Sequence, residues 1–166
     1  MTTFNQQNIL ETIRMIKIHH LDIRTTTLAL SLRDCCTSDT KKTANRIYDK
    51  ILKYAKNLVK YANTLEDDYS IPIVNKRIAL TPISLIGESC DNVDYVYIAQ
   101  MIDKAGKEVG VDFIGGFSAL VEKGCTKGDE LLIESIPEAL KQTQRVCSSI
   151  NLASTKAGIN MNAVKK

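Results

Sequence analysis

Ile71-Pro72-Ile73-Val74-Asn75-Lys76-Arg77-Ile78-Ala79-Leu80-Thr81-Pro82 is the stretch on which the fold turns. Proline fixes φ and lacks a backbone donor, so Pro72 and Pro82 bracket the run between them, and its isoleucines and valine favour an extended strand, Ile73 to Thr81. Upstream, Ser38-Asp39 supplies N-cap chemistry for a long amphipathic helix. It carries Ala44, Ile47, Ile51, Leu52, Ala55, Leu58, Val59 and Ala62 on one side. Downstream, Asp91 or Asn92 caps another helix, with Tyr95, Ile98, Ala99, Ile102, Ala105 and Val109 on its apolar side and Gly110 as its terminator. A strand held between two long helices needs crossover connections, and crossovers make parallel sheets.

The same alternation extends in both directions. Ile9, Leu10, Ile13 and Ile16 recur at helical spacing, and the segment Asp22 to Arg33 holds the β-rich run Thr25-Thr26-Thr27-Leu28-Ala29-Leu30. Val111 to Ile114 reads as a short third strand stopped by Gly115-Gly116. A weaker helical stretch, Asp129 to Thr143, is interrupted near Pro137. Arg145 to Leu152 reads as a fourth strand, and Asn160 caps a helix that barely begins. With no linker, repeat or low-complexity segment, residues 1–166 form a single α/β domain of parallel strands and crossover helices.

Composition narrows the partners. The 166 residues are 44% hydrophobic and 25% charged, ordinary values for a globular domain with a real core. No apolar run reaches the roughly 20 residues that span a bilayer, and residues 1–7 lack a secretory signal, which together point to the cytoplasm and to no membrane partner. A dispersed net charge of +3 and 5% aromatic content argue against nucleic acid. The five cysteines follow no repeated short spacing, so neither a disulfide framework nor a metal site is expected.

Four segments carry a resemblance: Leu21 to Thr27, Ile71 to Arg77, Gly110 to Leu120, and Val146-Cys147-Ser148-Ser149 through Ser154-Thr155-Lys156-Ala157-Gly158-Ile159-Asn160-Met161. Together they resemble the uncharacterised "PFL family", bacterial and archaeal proteins of unknown function named for a fold similar to pyruvate formate-lyase. The resemblance implies an α/β barrel of the glycyl-radical-enzyme type. This chain would be the N-terminal portion of a longer protein, about one half-barrel, with exposed strand edges that favour a homo-oligomer. The family's chemistry is unassigned, and the radical-storing glycine of true glycyl radical enzymes lies in a C-terminal loop that this sequence does not contain.

Candidate sites follow from residue type and position. Cys35-Cys36, directly after the first strand, reads as one buried packing residue and one loop thiol. Cys147 lacks a nearby base, since His19 and His20 belong to the end of the first helix. Gly115-Gly116-Phe117-Ser118 reads equally as a tight strand exit or as a ligand loop, with Gly115, Gly116 and Ser118 as its contacts. Asn75, Lys76 and Arg77 stand inside an otherwise apolar strand, as do Asp22, Arg24 and Asp112 near other strands. They point to an interior polar network or a ligand. The strongest group is Ser148, Ser149, Asn151, Ser154, Thr155, Lys156, Gly158 and Asn160. Its short hydroxyl and amide donors, one cation and a helix start are what a phosphate or carboxylate needs. The expectation is a small anionic metabolite at the strand-end opening, bound by an enzyme or, alternatively, by a non-catalytic metabolite-binding or regulatory protein on an enzyme-derived barrel. No particular cofactor is implied.

Overall fold

A computed structural model of the chain describes residues 5–19 and 22–165. Four strands make one parallel sheet in the order β1 (Ile23–Leu30), β2 (Ile73–Leu80), β3 (Phe113–Leu120) and β4 (Val146–Asn151). Helix α1 (Gln6–Lys17) precedes the sheet. A 3-10 turn at Arg33–Cys35 then leads into α2 (Thr40–Ala55) and α3 (Leu58–Tyr69) between β1 and β2. Helices α4 (Ile83–Gly87) and α5 (Tyr95–Val109) link β2 to β3, and α6 (Lys127–Lys141) links β3 to β4. A two-stranded hairpin, β5 (Ala153–Ser154) and β6 (Gly158–Ile159), and the short α7 (Met161–Val164) complete the chain.

Chain order and spatial order coincide in the sheet, and this decides where the helices go. A right-handed crossover between adjacent parallel strands always deposits its helix on the same side. The core therefore lies between one face of the sheet and α2, α5 and α6: Leu30, Ile78, Leu80, Ile114, Phe117, Ala119 and Val146 are buried there with Ile47, Ile51, Ile98, Ile102, Leu132 and Ala139. Phe117 meets Tyr95 of α5 edge-on, ring centroids 6.5 Å apart. The opposite face presents Thr25, Thr27, Ala29, Asn75, Arg77, Ala79, Phe113, Leu120, Cys147, Ser149 and Asn151, all exposed or half-buried.

Three expectations need correction. The long helix from Ser38 to Ala62 is two helices separated by a turn at Lys56–Asn57. Ala55, Leu58, Val59 and Ala62 keep a three- or four-residue spacing across the turn, so the apolar pattern conceals it. Pro137 does not interrupt α6, which runs unbroken through it. The ring lies on the exposed side and removes one bond of the ladder without ending it. The third strand does not stop at Gly115-Gly116 but continues to Leu120.

The glycine pair makes this continuation possible. The register with β4 slips between Gly115 and Phe117, a β-bulge in which Gly116 is the extra residue. Its φ is +119°, and a Cβ there would lie 2.7 Å from both the Cβ and the carbonyl oxygen of Leu80 on β2. Beyond the bulge the alternation is inverted: Ile114 faces the helices before it, and Phe117 and Ala119 after it. A Cβ at Gly115, by contrast, meets nothing within 4 Å. Gly116→Ala is expected to cost about 1–3 kcal/mol from the left-handed backbone and the contact with Leu80, whereas Gly115→Ala stays within about 0.5 kcal/mol. Urea unfolding of the two variants checks the contrast.

Candidate functional site

The pleat of β2 separates three neighbours that the sequence reading grouped. Lys76 points to the helix side, where its ammonium pairs with Glu66 Oε2 of α3 at 2.9 Å and donates to the Ile73 carbonyl at 2.9 Å. Glu66 also accepts from the Ile73 amide at 2.6 Å. The bond from Lys76, and then that from Ile73, hold its carboxyl below the ordinary value of 4.5. Lys76 is thereby a clamp between α3 and β2. Asn75 and Arg77 stand on the opposite, uncovered face. Asn75 Nδ2 donates to the Arg24 carbonyl at 3.2 Å, and Arg77 Nε donates to Thr27 Oγ1 of β1 at 3.0 Å.

The same sorting applies to β4. Ser148 sits opposite Phe117 on the helix side with its hydroxyl buried and unpartnered, while Ser149 sits opposite Ser118 and Asn151 opposite Leu120 on the uncovered face. Asn151 Nδ2 donates to Glu122 Oε2 at 3.3 Å, just beyond β3, and Ser118, which is buried, donates to the Gly116 carbonyl at 3.3 Å. Gly115 and Cys147 are cross-strand neighbours on this face, in the row that begins with Ala29 and Ala79. Thus Asn75, Arg77, Gly115, Ser118, Ser149 and Asn151 share one surface with Thr25, Thr27 and Cys147. Among the described residues, Arg77 is the one charged side chain that the strands present there.

The remaining expected ligand groups belong to a local motif. Ser154 and Gly158 pair across the β5–β6 hairpin, whose turn is closed by the Ala157 amide donating to Ser154 Oγ at 3.1 Å. Thr155 and Lys156 lie exposed in that turn, and Gly158 adopts a φ of +75°. Asn160 uses both ends of its amide: Oδ1 accepts from the Ala163 amide at 3.2 Å, capping α7, and Nδ2 donates to the Val121 carbonyl at 2.7 Å. Asn160 therefore fastens the hairpin and α7 to the end of β3.

Among the cysteines, Cys35 is 3% exposed, and burial and then the neighbouring Asp34 charge push its thiol up, away from reactivity. Cys36 is half-buried, and Cys147 is exposed on the open face. His19 follows α1 and His20 lies outside the described residues. Among the described residues there is no group of three histidines, cysteines or carboxylates placed to hold a metal ion, and no helix is long and apolar enough to cross a membrane.

One region had no signal in the sequence reading. A cleft of about 720 Å³ opens at the carboxyl edge of the sheet between the α4–α5 connection and the start of α6, lined by Glu88, Cys90, Asp91, Asn92, Thr126 and Lys127. Its helix end is already occupied: Thr126 and Asp129 form a reciprocal capping box, and the Thr126 hydroxyl also bonds Glu88. The Thr126-Lys127-Gly128-Asp129 spacing is the sequence signature that marks this corner.

These features define a class: an α/β domain with a sequentially ordered parallel sheet, helices packed on one face and a polar, singly charged face left bare. Comparison with known proteins carries the assignment further. Residues 14–166 match the family model described as "Uncharacterised ACR (DUF711)", and the chain belongs to that family. It is 58% identical over 162 residues to a UPF0210 protein of Clostridium acetobutylicum, covering 98% of this chain and 36% of that protein. It is 59% identical over 158 residues to one from Acetivibrio thermocellus, covering 95% and 35%, and 60% identical over 162 residues to one from a Thermoanaerobacter species, covering 97% and 36%. The chain thus spans little more than a third of the length of these relatives.

The Lys76–Glu66 clamp has a pH signature. A carboxylate held below its ordinary value contributes stability that is present above 4.5 and lost as the pH falls through the lowered value. Glu66→Gln is expected to melt below the wild type at pH 7, and the gap is expected to narrow as the pH is taken progressively below 4.5, as read by thermal melts across that range.

Proposed function

We propose that the bare face of the sheet is the inner wall of a ligand cavity that holds a small anionic metabolite at the carboxyl ends of the strands. In this reading the chain forms about one half of an α/β barrel of the glycyl-radical-enzyme type, similar to the PFL family, and the opposite wall comes from outside these 166 residues. The observation that carries the proposal is Arg77, an exposed guanidinium among threonines, serines and asparagines on a face where the strands supply no carboxylate. Parallel sheets are ordinarily covered on both sides, and ligands of open α/β sheets gather at the carboxyl ends of the strands. Thr27 holds the Nε edge of the guanidinium, leaving its terminal nitrogens as paired donors. Ser149 and Asn151 extend the donor surface toward the strand ends, and Lys156 on the hairpin adds a second cation.

The ionisable groups that the strands place on this face are Arg77 and Cys147. Neither is a general base of the carboxylate or imidazole kind, so the role these residues support for this wall is binding and orientation of the ligand. The exposed edges of β1 and β4 support self-association, and the protein is assigned to the cytoplasm.

A thermal-shift screen of phosphorylated and carboxylated metabolites is expected to find an anion that raises the melting temperature, with the shift lost in Arg77→Gln. Melting behaviour that ignores every anion, or a shift that Arg77→Gln leaves intact, refutes the assignment.

A further inference from the structure

The row of side chains that contains Arg77 narrows the chemistry of the ligand, on the premise that the bare face binds an anion. Thr27, Arg77 and Phe113 are cross-strand partners on β1, β2 and β3 and project from the same face. Adjacent strands lie about 4.8 Å apart, so Arg77 and Phe113 are neighbouring positions on the sheet, with the guanidinium leaning toward β1 through Thr27 and the phenyl ring rising from β3. Phe113, the first residue of β3, is 42% exposed, an aromatic ring presented to solvent from an inner strand. The next row toward the carboxyl ends is Ala29, Ala79 and Gly115, no side chain of which exceeds a methyl group. Beyond it Leu120, 46% exposed, stands opposite Asn151. The surface is therefore a shallow floor, with a cation held over β1 and β2 and an aromatic ring on β3 along the same margin.

Charge arithmetic separates the anions. Arg77 pairs with no carboxylate among the described residues, so the strands offer a ligand one unit of positive charge. A phosphate monoester carries about −1.5 to −2 at neutral pH and would keep a desolvated excess, whereas a carboxylate carries one charge and matches the two terminal nitrogens of an arginine in a planar, bidentate pair. With Nε fixed by Thr27, the guanidinium is already oriented for it. The neighbouring ring and the flat floor favour a planar apolar body attached to that carboxylate, because an aromatic ring offset over Phe113 gains stacking as well as burial.

We infer that this face takes a monocarboxylate with a planar aromatic body: Arg77 binds the carboxylate, Thr27 positions Arg77, and Phe113 stacks on the ring. Isothermal titration of the protein with benzoate and phenylacetate, against acetate, inorganic phosphate and phenyl phosphate, tests it. Benzoate or phenylacetate is expected to bind more tightly than acetate and than either phosphate. Arg77→Gln should weaken that binding by about 10-fold or more, the scale of a charged hydrogen-bonded pair. Phe113→Ala should weaken it several-fold and bring benzoate and acetate closer together, with Phe113→Leu as a second variant that keeps an apolar side chain and the strand. Thr27→Val should have a smaller effect in the same direction. Circular dichroism establishes that each variant is folded. Phosphate or phenyl phosphate binding through Arg77 in preference to the carboxylates overturns the ligand class while leaving an anion site in place. Equal affinity for acetate and benzoate, unaffected by Phe113→Ala, overturns the aromatic body. If no probe binds, or binding ignores Arg77, this inference and the anion reading fail together.

Discussion

The handedness of the strand connections governs everything else in this domain. Each link between neighbouring parallel strands must cross over in the right-handed sense, and because β1 to β4 follow one another in space as in sequence, every crossover lands on the same side. The helices then compete for one face and bury it with Ile78, Leu80, Ile114 and Phe117, while the other face receives nothing. The bare face is therefore imposed by topology, and its polar side chains are compatible with that position. Threonine, serine, asparagine and arginine can stand there at little cost, where the helix side admits Lys76 only with Glu66 beside it.

Much of this architecture was legible in the residues. The four strands and the principal helices follow from periodicity, proline brackets and caps, and the parallel sheet follows from their alternation. The errors have physical sources. The break between α2 and α3 was hidden because the apolar spacing runs through Lys56–Asn57 in phase. The β5–β6 hairpin was invisible because each strand has two residues, too few for any period, and Ser154, Thr155 and Lys156 look like loop or ligand chemistry alike.

The candidate site was legible as a list of residue types and not as a place. Asn75, Lys76 and Arg77 are consecutive, and a period of two sends the middle one away from its neighbours. The same rule divides Ser148 from Ser149. Which side would be buried could be settled only by the crossovers, which are non-local. Lys76, expected with Asn75 and Arg77 in an interior polar network or at a ligand, is the structural member of that trio, and the arginine beside it carries the open charge. The acidic cleft beside α6 needed tertiary contacts to appear at all, because its two margins are separated in sequence by the whole of α5 and β3.

The bulge at Gly116 divides β3 into two halves read in opposite phase: Phe113 and Gly115 on the bare face before it, Ser118 and Leu120 after it. A change in chain length there has a consequence that no substitution has. Deleting one residue of the glycine pair would remove the bulge and leave a regular strand in which Ile114, Phe117 and Ala119 still face the helices. Deleting both would set Phe117 directly after Ile114, turning Phe117 and Ala119 out of the core and bringing Ser118 and Leu120 into it. In this lineage the Gly115–Gly116 position should tolerate the loss of one residue and reject the loss of both, an indel rule written by a single extra residue.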